Sequence, residues 1–151
     1  MDRFLIRVSL GYLRSNEEMR LMDNSYHEEK VNLEPVMQAG HVVILQEEVK
    51  KVNIHISVRE YIMELVSASR DNVNIKLGIS PRGTIGLCAM AKAMAFIMGR
   101  GYVTPDDVIY IAPSVLAHRL MLSPNRTEQY KTQEAAINEV LKTTPPPESK
   151  I

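Results

Sequence analysis

From Thr84 to Met98 the chain carries a single charge, Lys92, and this apolar segment ends at Gly99-Arg100-Gly101. Such a segment has almost no polar face to turn toward water, so other parts of the chain must cover it. It is rich in Ala and Met, which favour a helix over a strand. Ser80 supplies an N-cap, Pro81 fits the first helical position, and Gly99 suits the C-terminal end. The apolar run is shorter than the roughly 20 residues that a membrane span needs. A central helix from Pro81 to Met98, buried nearly all round, is therefore predicted, and its neighbours should be helices that wrap it.

The rest of the chain supplies those helices. Ser15, with Glu18 three residues on, forms a capping box for a first helix ending near Asn24 or Ser25. Tyr26 to Gly40 is polar, contains Pro35 and reads as a loop. Val42, Leu45, Val49 and Val52 share one stripe of a second helix. Ser57, with Glu60, caps a third, whose Val58, Tyr61, Ile62, Leu65, Val66 and Ser69 follow the i, i+3, i+4, i+7 pattern. Asp71 to Gly78 reads as a loop. Thr104, Pro105 and the pair Asp106-Asp107 start a fifth helix, which Pro113 should kink or restart. After a polar loop from Asn125 to Lys131, a last helix runs from about Thr132 to Lys142, with Ile137, Val140 and Leu141 inward. Only the beginning breaks the pattern. Phe4, Ile6, Val8 and Leu10 alternate with Leu5, Arg7 and Ser9, which is the period of a strand. No partner follows it, so it is expected to be the last strand of a sheet whose remainder lies outside this chain.

Composition agrees with a helical bundle. The 151 residues include nine Met but only two Phe and no Trp, and 45% are apolar. Lys plus Arg and Asp plus Glu are each 18, so the net charge is zero and no basic excess points to nucleic acid or anionic lipid. Cys88 is the one cysteine, which excludes a disulfide framework and fits a reducing compartment. No signal peptide is visible, and the expected location is the cytoplasm. The histidines at 27, 41, 55 and 118 lack metal-ligand spacing, so no metal site is expected. Cys88, inside the apolar helix, reads as a core residue rather than a nucleophile.

One residue resists a purely architectural reading. "GISPRGT", Gly78 to Thr84, puts Arg82 at the start of a helix, where the dipole favours anions. Arg82 could simply pair with an acid or lie in solvent. Alternatively, the helix N-terminus and the guanidinium together bind an anion such as phosphate, with Gly83 letting the backbone approach. The stretch nearly matches the phosphate loop G-x-x-x-x-G-K-[ST], but Thr84 follows Gly83 directly and the lysine is missing. The chain is therefore not expected to hydrolyse a nucleotide alone.

Taken together, several stretches resemble the C-terminal lid of a MoxR-type AAA+ ATPase. They are "DRFLIRVSLGY" at Asp2 to Tyr12 with the acidic helix after it, "HISVREYIMELVSASR" at His55 to Arg70, "LGISPRG" at Leu77 to Gly83, "GYVTPDDV" at Gly101 to Val108, and "APSVLAHRLML" at Ala112 to Leu122. The resemblance covers nearly the whole chain, in order. It implies a mainly α fold: the end of an AAA+ core at residues 1–12, a helical lid at 13–142 and a flexible tail at 143–151. It implies that Arg82 is the second sensor, which contacts the nucleotide's terminal phosphate, with Ser80 and Gly83 beside it. It implies that Arg3 is an arginine finger, reaching into the neighbouring subunit's site. ATP and magnesium would be held by the parent's core, with no cofactor in this chain and no metal bound by it. The implied partners are that core, neighbouring subunits of a homo-oligomeric ring, and proteins with a von Willebrand factor A domain; neither nucleic acid nor a membrane span is among them. The implied role couples ATP binding and hydrolysis to oligomer assembly and chaperone-like remodelling. The phosphate loop, the metal carboxylate motif and the first sensor are absent, and Leu13 stands where the family often has proline. A free-standing helical interaction module with no nucleotide link is the alternative.

Overall fold

The computed structural model describes residues 3–24 and 33–147. Within them lie α1 (Ser15–Asn24), α2 (Ala39–Lys51), α3 (Ile56–Asp71), α4 (Pro81–Ile97), α5 (Pro105–Leu116) and α6 (Gln133–Thr143). Two short strands, β1 (Ile75–Leu77) and β2 (Met121–Leu122), pair antiparallel, with Ile75 opposite Leu122 and Leu77 opposite Met121. The mainly helical class read from the sequence is the class observed.

The core forms around α3. All six residues that the helical period assigned to its inner face are buried. They meet Leu87 of α4, Val108 and Leu116 of α5, and Ile137 of α6. Each large aliphatic side chain buried this way contributes about 1.5–3 kcal/mol. The cap of α3 differs from expectation. His55, not Ser57, is the N-cap, and its Nδ1 accepts the Ser57 amide at 3.3 Å. In α1 the reach-back bond is likewise one residue early: the Arg14 amide donates to the Glu17 carboxylate at 2.9 Å, so Ser15 is already helical.

α4 begins and ends as its sequence suggests. Ser80 Oγ accepts the Gly83 amide at 3.2 Å, and Pro81 occupies the first turn. Gly99, at φ +73°, closes the helix. The Arg100 amide reaches the Ala95 carbonyl and the Gly99 amide reaches the Phe96 carbonyl, both at 2.9 Å, the pattern of a Schellman end. Its burial is the correction. Only Gly83, Gly86, Leu87, Ala91 and Ala95 are buried, whereas Ile85 is 71% and Ile97 75% exposed. The buried stripe is almost all small residues, and α4 packs on α5 more than on any other element. The opposite face lies open because α2 contributes no buried residue. α4 is therefore not the most buried helix: α3 buries bulkier side chains, and α5 exposes only Asp106 and Tyr110.

Two further expectations shift. α5 runs through Pro113 to Leu116 and only then tightens into a 3-10 turn at Ala117–Arg119. The predicted loop from Asp71 to Gly78 contains β1, which is too short to show a period. Phe4 to Leu10 forms no ladder among the described residues, the sequence reading having placed its strand partners outside this chain; its backbone bond into the bundle runs from the Arg7 amide to the Ser114 carbonyl at 2.9 Å. Residues 25–32, the first half of the first predicted loop, and 148–151 of the tail lie outside the described residues. At the other end, Thr143 is helical and Thr144 buried, so the folded unit extends past residue 142.

Candidate functional site

Arg82 is the second residue of α4 and is exposed. Its side chain makes no hydrogen bond or ion pair with another described residue. The acid that would explain it as a surface pair is therefore not found among them. The backbone around it is less open than the sequence suggested. Pro81 has no amide hydrogen, Gly83 donates to Ser80 Oγ, and the Thr84 amide donates to the Ser80 carbonyl at 3.0 Å. Of the first-turn amides only that of Arg82 is left without a partner, so any anion here would rest mainly on the guanidinium. Gly83 is buried, and its missing side chain serves packing. A Cβ there would meet Ile79 Cγ2 at 3.1 Å and Arg119 Cδ at 3.3 Å. Ser80 is half-buried and holds the cap.

Arg3 lies at the exposed start of the N-terminal segment. The next residue is firmly held. The Phe4 carbonyl accepts from an Arg119 terminal nitrogen at 2.6 Å and from His118 Nε2 at 3.0 Å. That bond fixes the His118 tautomer with its proton on Nε2. Arg119 also donates through Nε to the Val115 carbonyl at 2.8 Å. Both side chains are only 8% exposed. The sequence reading singled out neither as an anchor. Their pairing with a backbone carbonyl more than a hundred residues away leaves no local spacing to detect.

The other candidates are structural. Among the described residues no group of three or more His, Cys, Asp or Glu could hold a metal ion. Burial pushes the Cys88 thiol up, against the opposing pull of Arg59 and Lys92, which suits a core position. Asp107 is buried at the start of α5, where it accepts from the Arg100 guanidinium at 2.5 and 2.8 Å and from the Thr104 amide at 2.8 Å. Burial alone would raise its carboxyl, but these bonds outweigh it and hold the group below the usual carboxylate range.

Residues 67–140, from late in α3 to late in α6, match the AAA lid domain family. A protein titled "Chaperone MoxR1" from Mycobacterium tuberculosis is 31% identical over 161 residues, covering 97% of this chain and 41% of that protein. The chain carries an AAA lid domain related to MoxR. An uncharacterized Bacillus subtilis protein, YeaC, is 38% identical over 142 residues, with 93% of this chain and 44% of that one matched. The lid also superimposes on the crystal structure of a candidate ATPase from Cytophaga hutchinsonii. The TM-score is 0.79 at 30% identity, covering 93% of this chain and 46% of the other. The chain thus spans less than half the length of each of these relatives. Among the described residues no helix is long and apolar enough to cross a membrane.

Proposed function

We propose that this lid senses the terminal phosphate of a nucleotide through Arg82 and couples ATP binding and hydrolysis to oligomer assembly and chaperone-like remodelling. The observation that carries the reading is the exposed Arg82 guanidinium, which has no partner among the described residues at the start of a capped helix. A cation left unpaired against the helix dipole is available to a phosphate brought from elsewhere. The donors present fit that part and no more. One guanidinium and one spare amide can contact an anion but cannot enclose a nucleotide. ATP and magnesium would therefore be held by an AAA+ core, with Ser80 and Gly83 shaping the helix start rather than donating to the phosphate.

Arg3 is proposed as the finger that reaches a neighbouring subunit in a homo-oligomeric ring in the cytoplasm. Its exposure, with the following carbonyl anchored, supports a residue presented outward from a fixed base. A finger stabilises charge that develops on the transferred phosphoryl group. Partners with a von Willebrand factor A domain follow from the family resemblance alone.

In the intact ATPase, Arg3→Ala should spare nucleotide binding and lower turnover on the order of 10³-fold. Mixed rings of Arg3→Ala subunits and subunits lacking the phosphate-loop lysine should regain activity, since one supplies the finger and the other the intact site. No rescue in assembled mixed rings would overturn the assignment in trans. A second reading, a helical interaction module, is favoured by the open apolar groove between α2 and α4, lined by Val42, Leu45, Val49, Met90 and Phe96. ATP turnover unaffected by both Arg3→Ala and Arg82→Ala would support it.

A further inference from the structure

Arg119 belongs to neither candidate site residue, yet it touches the elements that carry both. Its guanidinium lies against the first two turns of α4: a Cβ on Gly83 would meet its Cδ at 3.3 Å, and a Cβ on Gly86 would meet a terminal nitrogen at 3.7 Å. The same nitrogen donates to the Phe4 carbonyl at 2.6 Å and approaches the Leu5 carbonyl at 3.4 Å. Leu5 closes the arrangement, because its Cδ1 would sit 3.2 Å from a Cβ on Gly86. Two glycines one turn apart thus form a floor on which Arg119 and Leu5 lie. Arg82 precedes that floor by one residue, and Arg3 precedes the held carbonyl by one residue. Nε bonding to the Val115 carbonyl fixes the base of the guanidinium to α5. A planar fork with several donors can span these acceptors at once, which a point-charge ammonium cannot.

We infer that Arg119 is a positioning residue that locks the N-terminal segment to the start of α4, so that Arg3 and Arg82 move as one unit. This rests on the proposed roles of those two arginines. A shift of α4 when Arg82 meets phosphate would then carry Arg3 with it, because the link is a partly buried hydrogen-bonded contact rather than a mobile chain.

The geometry is tested on this chain, with Cys88→Ser as background and spin labels at Phe4→Cys and Ile85→Cys, both exposed sites. One narrow distance distribution is expected, broadening in Arg119→Gln and in Leu5→Gly. The second variant loosens the segment without touching the core. A distribution unchanged by both variants would overturn the inference, as would a broad one in the parent. Function is tested in the intact ATPase. Arg119→Gln and Leu5→Gly should lower kcat by about two- to thirtyfold while KM for ATP holds, since the binding groups remain. Arg119→Lys should restore little. If Arg3→Ala and Arg82→Ala cut turnover while the two loosened variants do not, Arg119 has no coupling role. If Arg3→Ala and Arg82→Ala are themselves silent, the assignment of the two arginines fails, and the inference with it.

Discussion

α3 and α4 make an instructive pair. α3 is flanked by charges, yet its Tyr61, Ile62 and Leu65 are among the largest fully buried side chains. α4 is nearly uncharged, yet Ile85 and Ile97 stand in solvent. An amphipathic pattern says which face is covered, because the polar face marks the outside. Uniform apolarity carries no such mark. It says that much of the helix wants covering and leaves open by what. In α4 the inner stripe is small, which permits close approach to α5, and the apolar outer face is left uncovered by the described residues.

The difference predicts graded responses to substitution. Ala91→Glu, which buries a charge with no partner under α5, should cost about 3–5 kcal/mol and prevent or severely weaken folding, read by thermal or urea melts. Leu65→Ala on α3 should cost about 2–5 kcal/mol, the usual range for a fully buried leucine. If either variant melted like the parent, the core would lie elsewhere. Asp107→Ala should cost about 1–3 kcal/mol, because the Arg100 and Thr104 bonds go together. Since the folded carboxyl titrates below its unfolded value near 3.8, its contribution is full above that pH and is lost as pH falls through the folded value. The parent's acid limb should therefore flatten in Asp107→Ala; a parallel limb would contradict the ion pair. At the small end, Ile85→Ser should stay within about 0.5 kcal/mol, as expected of an uncovered face. A larger loss would mean that the face is covered after all.

Much of this fold was legible because its signals are local. The period of α3, the Ser80-Pro81 start and the Thr104-Pro105 start each lie within a few residues. What escaped is what depends on distant partners. The alternation of Phe4 to Leu10 names no ladder partner, and none lies among the described residues. His55 displaced Ser57 as a cap because an imidazole can accept an amide as well as a hydroxyl can. Arg82 was found by its conflict with the helix dipole, a local contradiction. Arg119 carries no such conflict, and its contact with the Phe4 carbonyl joins residues more than a hundred apart in the chain.

The central claim is that Arg82 is spare for folding and needed for the nucleotide. In the intact ATPase, the rise in melting temperature produced by a non-hydrolysable ATP analogue measures binding directly. Without nucleotide, Arg82→Ala should melt with the parent or higher by roughly a few tenths of a kcal/mol, since a cation leaves a helix N-terminus. With the analogue, its melting temperature should rise clearly less than the parent's. An equal rise in both proteins would contradict the account, because the phosphate would then be read without Arg82.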